Sequence, residues 1–209
     1  MIVVIDYGTG NLKSVANALK LFGEEVKISN KKEDIINSER IVLPGVGTFF
    51  EGMKNLRELD IIDTLNEEVI KKKKPFLGIC LGMHLLATRG FEGGICNGLN
   101  WVPGEVKRFE LKENLRIPHM GWNNISLKKE SSLFENIPKN KDYYFVHCFH
   151  FIPDLKEYIV ATCDYGIEFV SAIQKDNIFA TQFHPEKSHQ NGLRILKNFI
   201  KWKPENKNA

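Results

Sequence analysis

The chain has 209 residues, of which 43% are hydrophobic, 11% aromatic and 26% charged, the balance of a soluble globular protein long enough for one domain with a substantial core. A net charge of +3 gives no nucleic-acid surface, and no stretch approaches the ~20 apolar residues that would cross a bilayer. Four cysteines, at positions 80, 96, 148 and 163, lack any C-x-x-C pairing and read as reduced thiols rather than as a zinc site or disulfide framework.

In chain order, M-I-V-V-I-D-Y-G has neither the basic flank nor the cleavage site of a signal peptide, and Ile2 to Ile5 reads as a buried first strand of a cytoplasmic protein. A helix follows over Asn11 to Phe22, with Leu12, Val15, Ala16, Leu19 and Phe22 on one face and Gly23 as its C-terminal cap. Glu25 to Ser29 and Arg40 to Leu43 read as strands, the latter entering the turn P-G-V-G at Pro44 to Gly47. One helix then carries Phe50, Met53 and Leu56, and another Ile62, Leu65 and Val69. The basic run Lys71 to Lys74 ends that helix, where cations suit the macrodipole, and Pro75 to Cys80 makes the next strand. Such alternation predicts an α/β fold with a mostly parallel central sheet flanked by helices.

From Gly90 the texture changes to short β-like runs: Val102 to Phe109, Asn123 to Leu127, Tyr143 to Phe151, Ile159 to Cys163, Val170 to Gln174 and Ile178 to Phe183. These predict additional antiparallel strands in the second half. A helix over Gly192 to Trp202 and a frayed tail, Lys203 to Ala209, close the chain. Without repeats or a linker, residues 1–209 are expected to form a single domain.

The chemistry concentrates in two windows. P-F-L-G-I-C-L-G-M-H at Pro75 to His84 places Cys80 on a tight strand-to-helix turn, the cysteine counterpart of a serine nucleophile elbow, where a helix N-terminus favours thiolate over thiol. On this window alone an ordinary buried cysteine fits as well. About a hundred residues later A-T-Q-F-H-P-E-K-S, at Ala180 to Ser188, puts His184 at a strand end and Glu186 two positions on. The pair supplies a base for the thiol and a carboxylate to orient it.

Together the windows resemble the class I, triad-type glutamine amidotransferases. D-Y-G-T-G-N-L (Asp6 to Leu12), L-P-G-V-G (Leu43 to Gly47), P-H-M-G-W-N (Pro118 to Asn123) and Y-F-V-H (Tyr144 to His147) narrow the likeness to the glutaminase subunits of imidazole glycerol phosphate synthase. The resemblance implies a glutaminase of Cys80, His184 and Glu186 without a cofactor or metal, working through a cysteine thioester. It implies an oxyanion hole from the backbone of Leu81 and of Val46 or Gly47, and substrate contacts at Gly45, His84, His147 and Cys148. The implied partner is a (β/α)8-barrel cyclase that takes up the ammonia for histidine biosynthesis, with Pro118, Met120, Trp122, Tyr144 and Lys187 at the contact. Glycines beside Val46 leave the oxyanion turn able to flip, so basal turnover is expected to be low until the partner sets it.

Two positions depart from the family pattern. His84 stands where members usually carry a substrate-contacting glutamine, and Cys148 where a serine is common. Alternation along Tyr144 to Phe151 sends His147, Phe149 and Phe151 to one side and Val146, Cys148 and His150 to the other. His147, Cys148 and His150 lack a carboxylate or second thiol at metal-site spacing, which disfavours a metal centre. The departures keep open a paralogous glutaminase feeding a synthase that amidates a sugar of surface polysaccharide. A non-catalytic activating subunit, and a cysteine protease or isomerase on a similar elbow, are readings of other classes.

Overall fold

A computed structural model describes residues 1–111, 115–139 and 141–204 of the chain. Its first half lays down β1 (Ile2–Ile5), α1 (Leu12–Lys20), β2 (Val26–Ser29), α2 (Lys32–Asn37), β3 (Arg40–Gly45), α3 (Phe49–Glu58), α4 (Ile62–Leu65), β4 (Phe76–Cys80) and α5 (Leu81–His84). Ten strands follow: β5 (Arg89–Gly90), β6 (Cys96–Asn97), β7 (Gly104–Arg108), β8 (His119–Asn124), β9 (Ser126–Leu127), β10 (Asp142–His147), β11 (Phe149–Pro153), β12 (Ile159–Asp164), β13 (Glu168–Lys175) and β14 (Ile178–Thr181). Helix α6 (His189–Lys201) comes last.

Among the described residues the main sheet has eight strands in the order β2-β1-β3-β4-β14-β13-β12-β9. The first five run parallel, and β13, β12 and β9 join by antiparallel pairing. β1 and β4 are buried along their whole length, as strands covered on both faces must be. Successive residues alternate between two cores. Ile2, Val4, Val42, Leu77 and Ile79 meet α1 and α6 through Leu19, Leu196 and Phe199, whereas Val3, Ile5, Ile41, Leu43 and Phe76 face Met53, Leu56 and Leu85. A ribbon of β10 and β8, and a smaller sheet ordered β11-β7-β5-β6, stand beside this body.

Several expectations shift in register or in kind. Strand β3 runs two residues beyond Leu43, through Pro44 to Gly45. Pro44 is tolerated because its last neighbours on the β1 side, Val4 and Val42, are already paired, leaving only β4 alongside. On α3 the buried aromatic is Phe49, and Phe50 is 44% exposed. The α4 pattern continues as a π-helical turn over Asn66–Lys71, which buries Glu68. Lys72 and Lys74 each approach that carboxylate at 2.7 Å, so part of the basic run neutralises a buried charge rather than decorating a helix end.

The run from Tyr143 to Phe151 is not one strand. It breaks at Cys148, leaving β10 in the ribbon with β8 and β11 in the small sheet with β7. The expected two-sided alternation therefore fails beyond His147: His150 and Phe151 are both buried. Two hydrogen bonds hold the break, from His147 Nδ1 to Phe149 O at 2.8 Å and from Phe109 N to Cys148 O at 3.1 Å. Strand β14 stops at Thr181 rather than Phe183, and α2 lies in a segment the sequence left unassigned. Most of the expected frayed tail, 205–209, falls outside the described residues.

Candidate functional site

Strand β4 ends at Cys80, whose backbone (φ 54°, ψ −107°) lies in the left-handed half of conformational space before α5 starts at Leu81. A non-glycine residue held there costs on the order of 1–3 kcal/mol, which the surrounding packing must offset. Gly82 allows that packing: a Cβ built on it would stand 1.7 Å from Leu43 O of β3. The elbow helix is a single turn, Leu81–His84. Across the sheet Gly45 is the register partner of Cys80, so the turn at Val46 and Gly47 emerges directly beside the sulfur. That turn is backed by the D-Y-G-T-G segment, with Gly10 built so close that a Cβ on it would lie 3.2 Å from Gly45 Cα.

His184 is fixed by the bend that follows β14. Its N–H donates to Tyr144 O at 2.9 Å, while Ser188 Oγ donates to His184 O at 2.6 Å and accepts from Tyr144 N at 3.0 Å. Pro185 opens a short 3₁₀ turn, Pro185–Lys187, that carries Glu186 back to the ring. His184 Nδ1 and Glu186 Oε1 are 2.9 Å apart, with both side chains at least 96% shielded from solvent. Nδ1 therefore carries the proton that Glu186 accepts, which leaves Nε2 on the far side of the ring. Nε2 is buried without a hydrogen-bond partner among the described residues.

Burial pushes the His184 imidazolium toward a lower pKa, but electrostatic attraction to Cys80 and then to Glu186 outweighs it and raises the group to about 10. The same attraction favours the protonated, imidazolium form of the His184 ring.

A pocket of ≈ 200 Å³ opens on the sulfur, and its lining includes Val46, Gly47, Leu81, His84, His147 and Cys148. Every one of these was marked from sequence. Both ring nitrogens of His147 are engaged: Nδ1 donates to Phe149 O, leaving Nε2 to accept from His119 Nδ1 at 3.1 Å. Burial holds this ring well below the usual histidine range, hence neutral. Only its backbone is left for a ligand. His84 lies 97% buried at the pocket wall with Nε2 2.6 Å from Gln182 Oε1.

Glu92 also lines the pocket and was missed from sequence. Its carboxylate accepts from Phe49 N at 3.2 Å, and burial raises its pKa. Nothing local in F-E-G-G marks it, because its value comes from a neighbour distant in the chain. A larger groove of ≈ 820 Å³, bounded by residues such as Ser131, Gln174 and Trp202, has no cysteine or histidine in its described lining.

The surface residues marked from sequence gather on the β8–β10 ribbon. Met120 and Trp122 are 66% and 46% exposed, and Trp122 pairs with Tyr144 across the ribbon. Trp122 stacks on His189 at 4.6 Å, and Lys187 Nζ lies 5.5 Å from the centre of the Tyr144 ring. Pro118 is exposed immediately before β8. The ribbon also reaches the pocket, since Val146, the partner of Met120, brings its carbonyl within 4.0 Å of Cys80 Sγ.

Residues 3–202 match the family described as glutamine amidotransferase class-I. A protein of Campylobacter jejuni (strain RM1221) named imidazole glycerol phosphate synthase subunit HisH 1 is 50% identical over 201 residues, 96% of this chain and 100% of that protein. The subunit named HisH 2 in Pseudomonas aeruginosa is 44% identical over 96% of this chain and 98% of its own length. The subunit named HisH in Geobacter sulfurreducens is 47% identical, covering 95% and 97%. A crystal structure titled glutamine amidotransferase superposes with a TM-score of 0.74 over 96% of this chain and 98% of its own, at 19% identity, a likeness of fold.

Proposed function

Since the chain belongs to the class-I glutamine amidotransferases, and among them to the HisH subunits of imidazole glycerol phosphate synthase, we propose that Cys80, His184 and Glu186 are its glutaminase triad. The observation that carries this reading is the strained Cys80 elbow, coupled to a His184 whose other nitrogen is held by Glu186 at 2.9 Å.

In this mechanism the Cys80 thiolate attacks the side-chain amide carbon of glutamine. The oxyanion is met by the backbone amide of Leu81 and one from Val46 or Gly47, each such donor supplying about 3 kcal/mol of transition-state stabilisation. His184 Nε2–H protonates the departing nitrogen, and ammonia leaves a γ-glutamyl thioester. The same Nε2 then takes a proton from water, whose oxygen adds to the thioester carbonyl; collapse restores the thiolate and releases glutamate. Glu186 keeps the ring oriented through both halves. Gly45, His84, His147 and Cys148 shape the substrate cavity, the last two largely through backbone. Glu92 is the carboxylate in its lining and suits the α-ammonium of glutamine.

Ammonia released into water would protonate and diffuse, so the product is useful only when passed directly to an acceptor. The partner is a (β/α)8-barrel cyclase of histidine biosynthesis, bound in a cytoplasmic heterodimer through Pro118, Met120, Trp122, Tyr144 and Lys187. Its contact with the ribbon sets the Val46–Gly47 turn, so glutamate release by the isolated chain is low. Measuring glutamate release with and without the cyclase tests this; full turnover by the isolated chain would refute the activation step, and turnover by Cys80→Ala the nucleophile.

A second reading, a paralogous glutaminase serving a sugar-amidating synthase, draws on His84 and on the numbered names HisH 1 and HisH 2 among the relatives. Deletion of the gene decides between them: loss of growth without histidine supports the cyclase partner, and unaffected growth the alternative.

A further inference from the structure

We propose that His84 is a positioning residue that acts through Gln182 to aim an amide N–H at the sulfur of Cys80. This rests on Cys80 being the nucleophile. The three residues converge from two elements. Cys80 and His84 bracket the single turn of α5, and Gln182 follows β14, whose Thr181 is the register partner of Ile79. Gln182 is fully buried and its backbone is pinned by donation to Ser171 O at 2.9 Å. Its carboxamide spans the gap, with Oε1 2.6 Å from His84 Nε2 and Nε2 3.8 Å from Cys80 Sγ.

The chemistry of the groups orders these contacts. An amide oxygen only accepts, so His84 Nε2 must be the protonated nitrogen and donate. A carboxamide is planar, so fixing its oxygen on one side fixes its N–H on the other, toward sulfur. The buried ring, faced by His147 and His150, is held neutral, with burial depressing it to about 4. The sulfur thereby acquires a donor that does not titrate, alongside His184, which does; Tyr7 too lies in electrostatic reach of the sulfur. His184 gives its proton away during acylation. The Gln182 amide keeps its own, and so stabilises thiolate both as attacking group and as leaving group when the thioester collapses. The residue at position 84 thus turns to the layer behind the nucleophile, which gives the histidine a role that does not require it to touch glutamine.

The pH–rate profile for alkylation of Cys80 by iodoacetamide tests this, followed by mass analysis of the Cys80 peptide so that the other thiols do not contribute. His84→Leu and Gln182→Met remove the donor at either end, and both should move the profile to higher pH, with alkylation at pH 7 slowed about three- to tenfold. His84→Gln retains an N–H donor and should restore the profile. Unchanged profiles in both disrupting variants, or His84→Gln shifted as far as His84→Leu, would overturn the proposal. So would a shift toward lower pH, because an amide turned the other way would present oxygen to the thiol. Should His84→Leu fail to fold, Gln182→Met carries the same test. Glutamate release by Cys80→Ala, measured in parallel, tells failure of this inference from failure of the nucleophile assignment.

Discussion

Acidification tests the buried state of His84 separately from its role. The ring is held at a pKa of about 4 by burial, against 6.5 for a free imidazole. A folded pKa below the unfolded one means that stability is intact above pH 6.5 and drains away as the pH falls toward 4, because the unfolded chain binds the proton first. The full loss is about 2.5 pH steps at 1.36 kcal/mol each, or about 3.4 kcal/mol. By pH 5 about 2 kcal/mol of it has been spent. His84→Gln cannot titrate but preserves a donor to Gln182, so the stability difference between the two proteins should move by about 2 kcal/mol in the variant's favour between pH 8 and pH 5. In urea unfolding, with a slope near 2.5 kcal/mol/M, that is about 0.8 M in the midpoint difference. Carboxylates and the other histidines titrate in both proteins and cancel. The neighbours His147 and His150 feel the loss of His84 charge only where His84 would be protonated, near pH 4. A midpoint difference that is flat from pH 8 to pH 5 would refute the neutral, desolvated ring.

Glu186→Gln should lower the rate of glutamate release about 100-fold or more with little change in folding, and should move the His184 titration down from about 10, because the carboxylate is one of the groups raising it. Gly82→Ala drives a Cβ to 1.7 Å from the Leu43 carbonyl, a backbone atom of β3 that has nowhere to go; a loss of about 3 kcal/mol or more in thermal or urea unfolding is expected, and an unperturbed midpoint would show the elbow to be looser than described. Trp122→Ala should weaken cyclase binding by roughly 30-fold, read by titration calorimetry, while leaving basal glutamate release unchanged.

The residues of the proposed triad stand out in the sequence because each part of it is written locally. A glycine-flanked cysteine at the end of an apolar run declares an elbow, and H-P-E declares a bend with a carboxylate within reach. The parallel half of the sheet was legible for a similar reason: strands buried on both faces, such as β1 and β4, are continuous apolar runs. What escaped depends on partners far apart in sequence. The break at Cys148 is invisible in Y-F-V-H-C-F-H-F, because every residue there suits a strand, and the change of sheet shows only in the pairing of β10 with β8 and of β11 with β7. Glu92 becomes a pocket carboxylate only when α3 presents an amide to it.

The same limit explains His84. Sequence comparison treats position 84 as a residue facing the substrate, so a histidine there reads as a weakened contact. The hydrogen bond behind the proposed role runs from His84 to Gln182, ninety-eight positions away and hidden inside the strand-like window A-T-Q-F. Around Cys80, then, the proposed reacting groups sit in short local motifs, while the Gln182–His84 contact joins residues far apart in the chain. A substitution can leave the triad motif untouched and still alter the thiol, by changing which neighbour holds the amide that faces it.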